Sequence, residues 1–121
     1  MQWKFDEKTP VFIQIANKVR NDIIVGTYMP GEQIPTVRQL ASEAAVNPNT
    51  VQKAMLLLEE EKLLVSKATV GLFVTSDTSV IDNVRNKIKK DTVKRLVDEA
   101  CFIGITPEEL IRIIKEDYIS E

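Results

Sequence analysis

Apolar residues recur at helical spacing along most of the chain, and the period breaks once, near the middle. Val11, Ile15, Val19, Ile23 and Ile24 make a first stripe, widened by Ile13, Ala16 and Val25, as an amphipathic helix requires. Thr9 and Pro10 suit its N-cap and first helical position, and Gly26 supplies a stop. Met29-Pro30-Gly31-Glu32 reads as the following turn. Thr36 then caps a short second helix with Val37, Leu40, Ala41 and Ala44 on its buried side. Only Ala45 and Val46 separate it from a third helix, opened by Asn47 as N-cap and Pro48 as first residue. Val51, Ala54, Met55 and Leu58 give that helix an apolar back.

Past Lys62 the pattern changes. Residues 63–66 and 72–75 are two short runs rich in branched and aromatic side chains, with residues 67–71 between them, which predicts a β-hairpin. A polar stretch, Ser76-Asp77-Thr78-Ser79, leads into a long helix over residues 80–103. Its apolar positions are Val80, Ile81, Val84, Ile88, Val93, Leu96, Val97, Ala100 and Ile103. Gly104 ends it, and Thr106-Pro107-Glu108-Glu109 has the form of a capping box that starts a last helix. Ahead of everything, Trp3 and Phe5 are spaced for a short strand or for an arm folded onto the domain, with anchoring by burial as the simpler role for Trp3.

Two helices joined by so short a turn and followed by a hairpin predict a mainly α fold with a small β-hairpin, a winged helix-turn-helix over residues 1–76. Residues 77–121 carry two helices whose apolar stripes exceed what they can bury on each other and on a three-helix domain. They are expected to form a C-terminal dimerisation arm, with packing inside one chain as the alternative.

The exposed face of the third helix decides the chemistry. Asn49, Thr50, Gln52 and Lys53 occupy it, where a helix without a nucleic-acid role more often carries Glu/Lys pairs. Asn and Gln can pair with a base edge through two hydrogen bonds, while Thr and Lys suit phosphates. Arg38, near the start of the second helix, is placed for a phosphate or a guanine edge; its bland alternative is an ion pair with Glu43. Lys67 on the hairpin could reach a phosphate beside the groove.

The 121 residues allow one compact domain, or a small domain with an appendage, and 44% hydrophobic residues are enough for a core. The net charge of −2 weakens a nucleic-acid reading without removing it, because charge averages over faces. The absence of histidine excludes a Ser-His-Asp triad, a Cys-His pair and any His-based zinc site. The acidic clusters Glu59-Glu60-Glu61 and Glu108-Glu109 read as solvated helix ends, and four scattered glycines make no phosphate loop. Neither an enzyme nor a bound cofactor or metal is expected. Cys101, the single cysteine, is expected to be a small buried hydrophobe. No signal peptide or membrane-spanning run is visible, which with the lone cysteine points to the cytoplasm. A winged helix used as a protein-interaction module is the rival class.

Several motifs stand in a telling order: Pro10-Val11-Phe12-Ile13-Gln14-Ile15, Gly26, Pro30-Gly31-Glu32, and Ile34-Pro35-Thr36-Val37-Arg38-Gln39-Leu40-Ala41. Val46-Asn47-Pro48-Asn49-Thr50-Val51-Gln52-Lys53-Ala54, Leu58-Glu59 and Gly71-Leu72-Phe73-Val74 complete them. Together they resemble the GntR family of bacterial transcriptional regulators, in its short-tailed YtrA-type subfamily, in detail over residues 9–76. The resemblance implies a homodimer, joined through residues 77–121, on a pseudo-palindromic double-stranded DNA operator. It implies that Arg38, Asn47, Asn49, Thr50 and Gln52 lie at the DNA surface, with a wing from Lys67 to Gly71 near the minor groove; Thr36 and Lys53 are expected to join them as DNA-binding residues. It further suggests repression of a neighbouring transporter operon, commonly of the ABC type, and leaves any small-molecule effector unidentified. Two departures stand out. Ala68 and Thr69 replace the basic residue and first glycine usual in the wing, and Lys62 replaces the glycine usual after the recognition helix.

Overall fold

In the computed structural model, which describes residues 3–119, five helices and one two-stranded antiparallel sheet follow in the order α1 (Val11–Ile24), α2 (Val37–Ala44), α3 (Pro48–Glu60), β1 (Leu64–Lys67), β2 (Gly71–Val74), α4 (Thr78–Phe102) and α5 (Pro107–Tyr118). The chain divides into two compact units, one ending at Val84 and the other starting at Arg85.

The first unit is built around α3. Its apolar back, Val51, Ala54, Met55 and Leu58, has no exposed surface, and α1 and α2 both pack against it. From α1 come Ile15, Ala16, Val19 and Ile23, one face of the expected stripe; from α2 come Leu40 and Ala41. Leu63, Leu64 and Val74 close the core from the hairpin, and Ile81 does so from the first turns of α4. The unit therefore runs past the polar linker, because α4 opens by burying a residue. Arg20 on α1 grips Glu61, just after α3, through Nε and Nη2 at 2.8 and 2.5 Å.

The entry to α1 differs from expectation. Pro10, with extended ψ of 139°, is the N-cap and makes no side-chain cap bond, so the helix starts at Val11 rather than at the proline. The Thr9 hydroxyl is not the cap; instead Asp6 Oδ1 accepts the Lys8 and Thr9 N–H groups in a tight turn. Gln14 fastens this lead-in to the helix. Its Nε2 donates to the carbonyls of Thr9 (2.6 Å) and Asp6 (3.0 Å), while its Oε1 accepts from the Asp6 N–H. The aromatic lead-in is thus an arm and not a strand, with the Trp3 and Phe5 rings 5.9 Å apart and packed against the core.

The other caps follow the chain's own signals. Thr36 and Gln39 form a reciprocal capping box at α2. Asn47 Oδ1 accepts the Asn49 N–H at 2.8 Å, with Pro48 in the first turn of α3. α3 does have a defined stop despite lacking a glycine. Lys62 takes φ of 64°, its N–H donates to Glu59 O, and the Leu63 N–H donates to Leu58 O. That is a Schellman closure, completed by the buried pair Leu58 and Leu63, with a lysine in the left-handed position that glycine occupies at lowest cost.

In the hairpin, Leu64 pairs with Val74 and Lys67 with Gly71. Residues 31–34 line the other edge of β2: the Gly31 and Ile34 N–H groups donate to Val74 O and Leu72 O, and the Val74 N–H donates to Glu32 O. The wing is consequently held on both sides.

In the second unit, Gly104 (φ 86°) closes α4, and Thr106 Oγ1 caps α5 by accepting the Glu109 N–H at 3.1 Å. Among its described residues only Ala100 is buried. Cys101, expected inside, is exposed. It lies one residue, about 100° of helix rotation, from Ala100, and this unit has too few layers to cover both faces. No helix among the described residues is long and apolar enough to cross a membrane.

Candidate nucleic-acid interface

The exposed side of α3 is the polar one foreseen. Asn49, Gln52 and Lys53 are exposed and Thr50 is half-buried, while Val51 and Ala54 between them are fully buried. Beside Gln52 lies an open cleft of about 320 Å3 whose walls include Thr36, Gln52, Glu59, Lys67, Thr69 and Gly71. It brings the start of α2, the face of α3 and the wing around one space. Four of the nine expected DNA-facing residues therefore share it: Thr36, Gln52, Lys67 and Gly71. Arg38, Asn47, Asn49, Thr50 and Lys53 lie outside its lining.

Local bonding qualifies several roles. The Thr36 hydroxyl and the Asn47 carbonyl oxygen are engaged as caps, so Thr36 can still donate its hydroxyl hydrogen and Asn47 its NH2 group. Gln39 is exposed and returns its Oε1 to the Thr36 N–H at 2.8 Å. Arg38 is exposed and, among the described residues, makes no ion pair with Glu43 or any other carboxylate. Its guanidinium keeps all its donors.

Two features of the wing answer the substitutions noted in its turn. The Val70 N–H donates to Lys67 O across the turn, and Thr69 sits at φ of 63°. The backbone thus takes the left-handed conformation without the glycine, at a strain that a β-branched residue raises. Gly71 has a packing reason to be glycine: φ is 136°, and a Cβ there would lie 2.8 Å from Gln33 Nε2. That same Nε2 donates to Val70 O at 2.8 Å and ties the turn to the preceding segment.

Gln33 and Glu59 were missed as site-forming residues. A lone glutamine bonding to a distant carbonyl leaves no periodic trace. Glu59 belonged to an acidic run read as solvent-exposed, yet the helix rotates it into the cleft, seven residues and two turns beyond Gln52.

A family model of bacterial regulatory proteins, the gntR family, matches residues 13–74, from α1 to the end of the wing. The chain belongs to the GntR family. Among curated relatives, the HTH-type transcriptional repressor YtrA of Bacillus subtilis is 32% identical over 110 residues, covering 89% of this chain and 84% of YtrA. Among solved structures, a GntR family transcriptional regulator from Listeria monocytogenes superposes with a TM-score of 0.88 at 32% identity, over 93% of this chain and 98% of that one. The DNA-binding domain of AraR, solved in complex with an operator, matches 62% of this chain and 92% of its own at 29% identity, with a TM-score of 0.55. The chain is thus a GntR-type transcriptional regulator with a winged helix-turn-helix DNA-binding domain. The GntR match ends at Val74, so α4 and α5 lie outside the family model although the Listeria protein extends over most of them.

Proposed function

We propose that this regulator is a homodimeric repressor that binds a pseudo-palindromic operator, each protomer laying the start of α3 in a major groove. The observation that carries the reading is the exposed polar face of α3 standing beside a cleft walled by the wing. Asn49 and Gln52 are suited to adenine edges and Arg38 to a guanine edge, while Thr36, Asn47, Thr50, Lys53 and Lys67 are suited to phosphates. Gly71 keeps the wing's backbone close to the minor groove. Residues 77–121 form the dimerisation arm of this reading, supported by the apolar side chains that α4 and α5 leave exposed, Phe102, Ile103, Ile111 and Tyr118 among them. The repressor role is supported by the likeness to YtrA, described as a transcriptional repressor. A neighbouring transporter operon, commonly of the ABC type in the short-tailed subfamily, is the proposed target, and the cytoplasm the proposed location.

Selection of a genomic DNA library on the purified protein tests this. An inverted repeat should be enriched, with half-site centres about 34 Å apart or a multiple of it. Failure to bind any duplex in a salt-sensitive way would overturn the reading and favour a protein-interaction module. On the selected operator, Arg38→Ala should weaken binding by at least about 1 kcal/mol in a gel-shift titration at fixed salt.

A further inference from the structure

Two lysines, one on the polar face of α3 and one on the wing, each lie over an aromatic ring. Lys53 Nζ stands 4.1 Å from the centre of the Phe12 ring in the first turn of α1. On the wing, Lys67 Nζ stands 4.3 Å from the centre of the Phe73 ring in β2. The geometry points to Phe12 and Phe73 as positioning residues that hold the two ammonium groups ready for phosphates on either side of the groove that α3 enters. This inference rests on the DNA-binding reading above.

The choice of partner matters more than the attraction itself. Three cations elsewhere show the alternative, a carboxylate partner: Lys18 with Asp22, Arg20 with Glu61 and Lys94 with Asp98. A carboxylate competes with an incoming phosphate for both charge and donors. An aromatic face instead attracts the cation through its quadrupole and leaves the full charge and all three N–H groups of the lysine available. Among the described residues neither Lys53 nor Lys67 has a carboxylate partner, and both are exposed.

The rings are anchored while the lysines are not. Phe12 packs against the core, and Phe73 pairs with Val65 in the ladder and bridges to Gln33 on its other side. A lysine side chain with four rotatable bonds loses much freedom when it meets a phosphate, and holding it in advance reduces that loss. In a chain whose 18 acidic residues outnumber its 16 basic ones, such an arrangement makes two cations count fully.

Anisotropy titrations of the full chain on a labelled duplex of mixed sequence, repeated at several salt concentrations, test the inference. K53M and K67M should each flatten the dependence of log K on log salt by about 0.9, the slope that one neutralised phosphate supplies. F12L and F73L should lower affinity by about threefold to tenfold, the effect of ordering one long side chain. In the K53M background F12L should have no further effect, and F73L none in the K67M background. Equal losses in both backgrounds would assign the rings a merely structural role and overturn the inference, as would F12L and F73L binding like wild type. If K53M and K67M keep the wild-type slope while the wild type binds with salt dependence, the lysines do not meet phosphates. The inference then falls while the DNA reading stands. A wild type without salt-dependent binding overturns the DNA reading itself.

Discussion

Up to Val84 the apolar stripes end inside, with Ile15, Val19, Val51, Met55, Leu58 and Leu63 stripped of exposed surface; from Arg85 onward only Ala100 is buried among the described residues, and Phe102 is 90% exposed. α5 is as amphipathic as α1 and α2, so periodicity alone does not separate the halves. What separates them is the number of layers. α3 is covered by α1 and α2, with the hairpin closing the core, and each large side chain buried there is worth about 1.5–3 kcal/mol. α5 has no buried residue at all. The same amphipathic grammar builds a core where several elements converge and an unsatisfied surface where they do not.

The contrast can be broken most sharply in the core. Met55→Ala should destabilise the first unit by about 2–5 kcal/mol, read from urea unfolding. If Ile103→Ala in the second unit cost as much, without any change in association state, the contrast would be mistaken. On the proposed dimer, Ile103→Glu should instead raise the dissociation constant about 30-fold, or about 2 kcal/mol, because a charge must be buried. Sedimentation equilibrium reads this, and the unfolding of the first unit should stay as it was.

A smaller effect of opposite sign is expected at the stop of α3. Lys62→Gly should stabilise the first unit by about 0.5–1 kcal/mol, since relief of the left-handed conformation exceeds the added freedom of the unfolded chain. A lower urea midpoint would show that the lysine side chain has a role of its own. The smallest effect lies at the start of α4. Asp77 Oδ1 accepts the Ser79 hydroxyl and N–H at 2.5 and 3.0 Å, and these bonds hold its carboxyl below the usual range. A depressed folded value means that this cap's contribution is complete above the ordinary carboxylate pKa and is lost as pH falls through the lowered one. The Ser79 amide resonance should follow that titration, and Asp77→Ala should abolish it.

Much of the first unit was legible in the sequence. The caps at Thr36, Asn47 and Thr106 were written in residue type, and the polar face of α3 in its spacing. Reading failed where a conformation or contact has no periodic mark. Glycine predicted the stop at Gly104 but not the one at Lys62, which takes the same backbone hand with a side chain attached. Pro10 displaced Thr9 as cap because a hydrogen-bonded turn upstream set the entry. Cys101 was assigned by the habits of its residue type, which presume a core that its unit does not provide. The phenylalanine under Lys53 is invisible to any local rule, since Phe12 and Lys53 are joined only by the fold.

The Arg20–Glu61 grip bears on the timing of folding. Its partners are 41 residues apart, and the bond can close only when α1 already lies along the far end of α3. Loop-closure entropy opposes its forming early, while the helices and the short α2–α3 turn need only near neighbours. A bond that closes late acts on the rate of opening and leaves the rate of assembly almost untouched, so Arg20→Ala is expected to speed the unfolding of the first unit more than it slows its refolding.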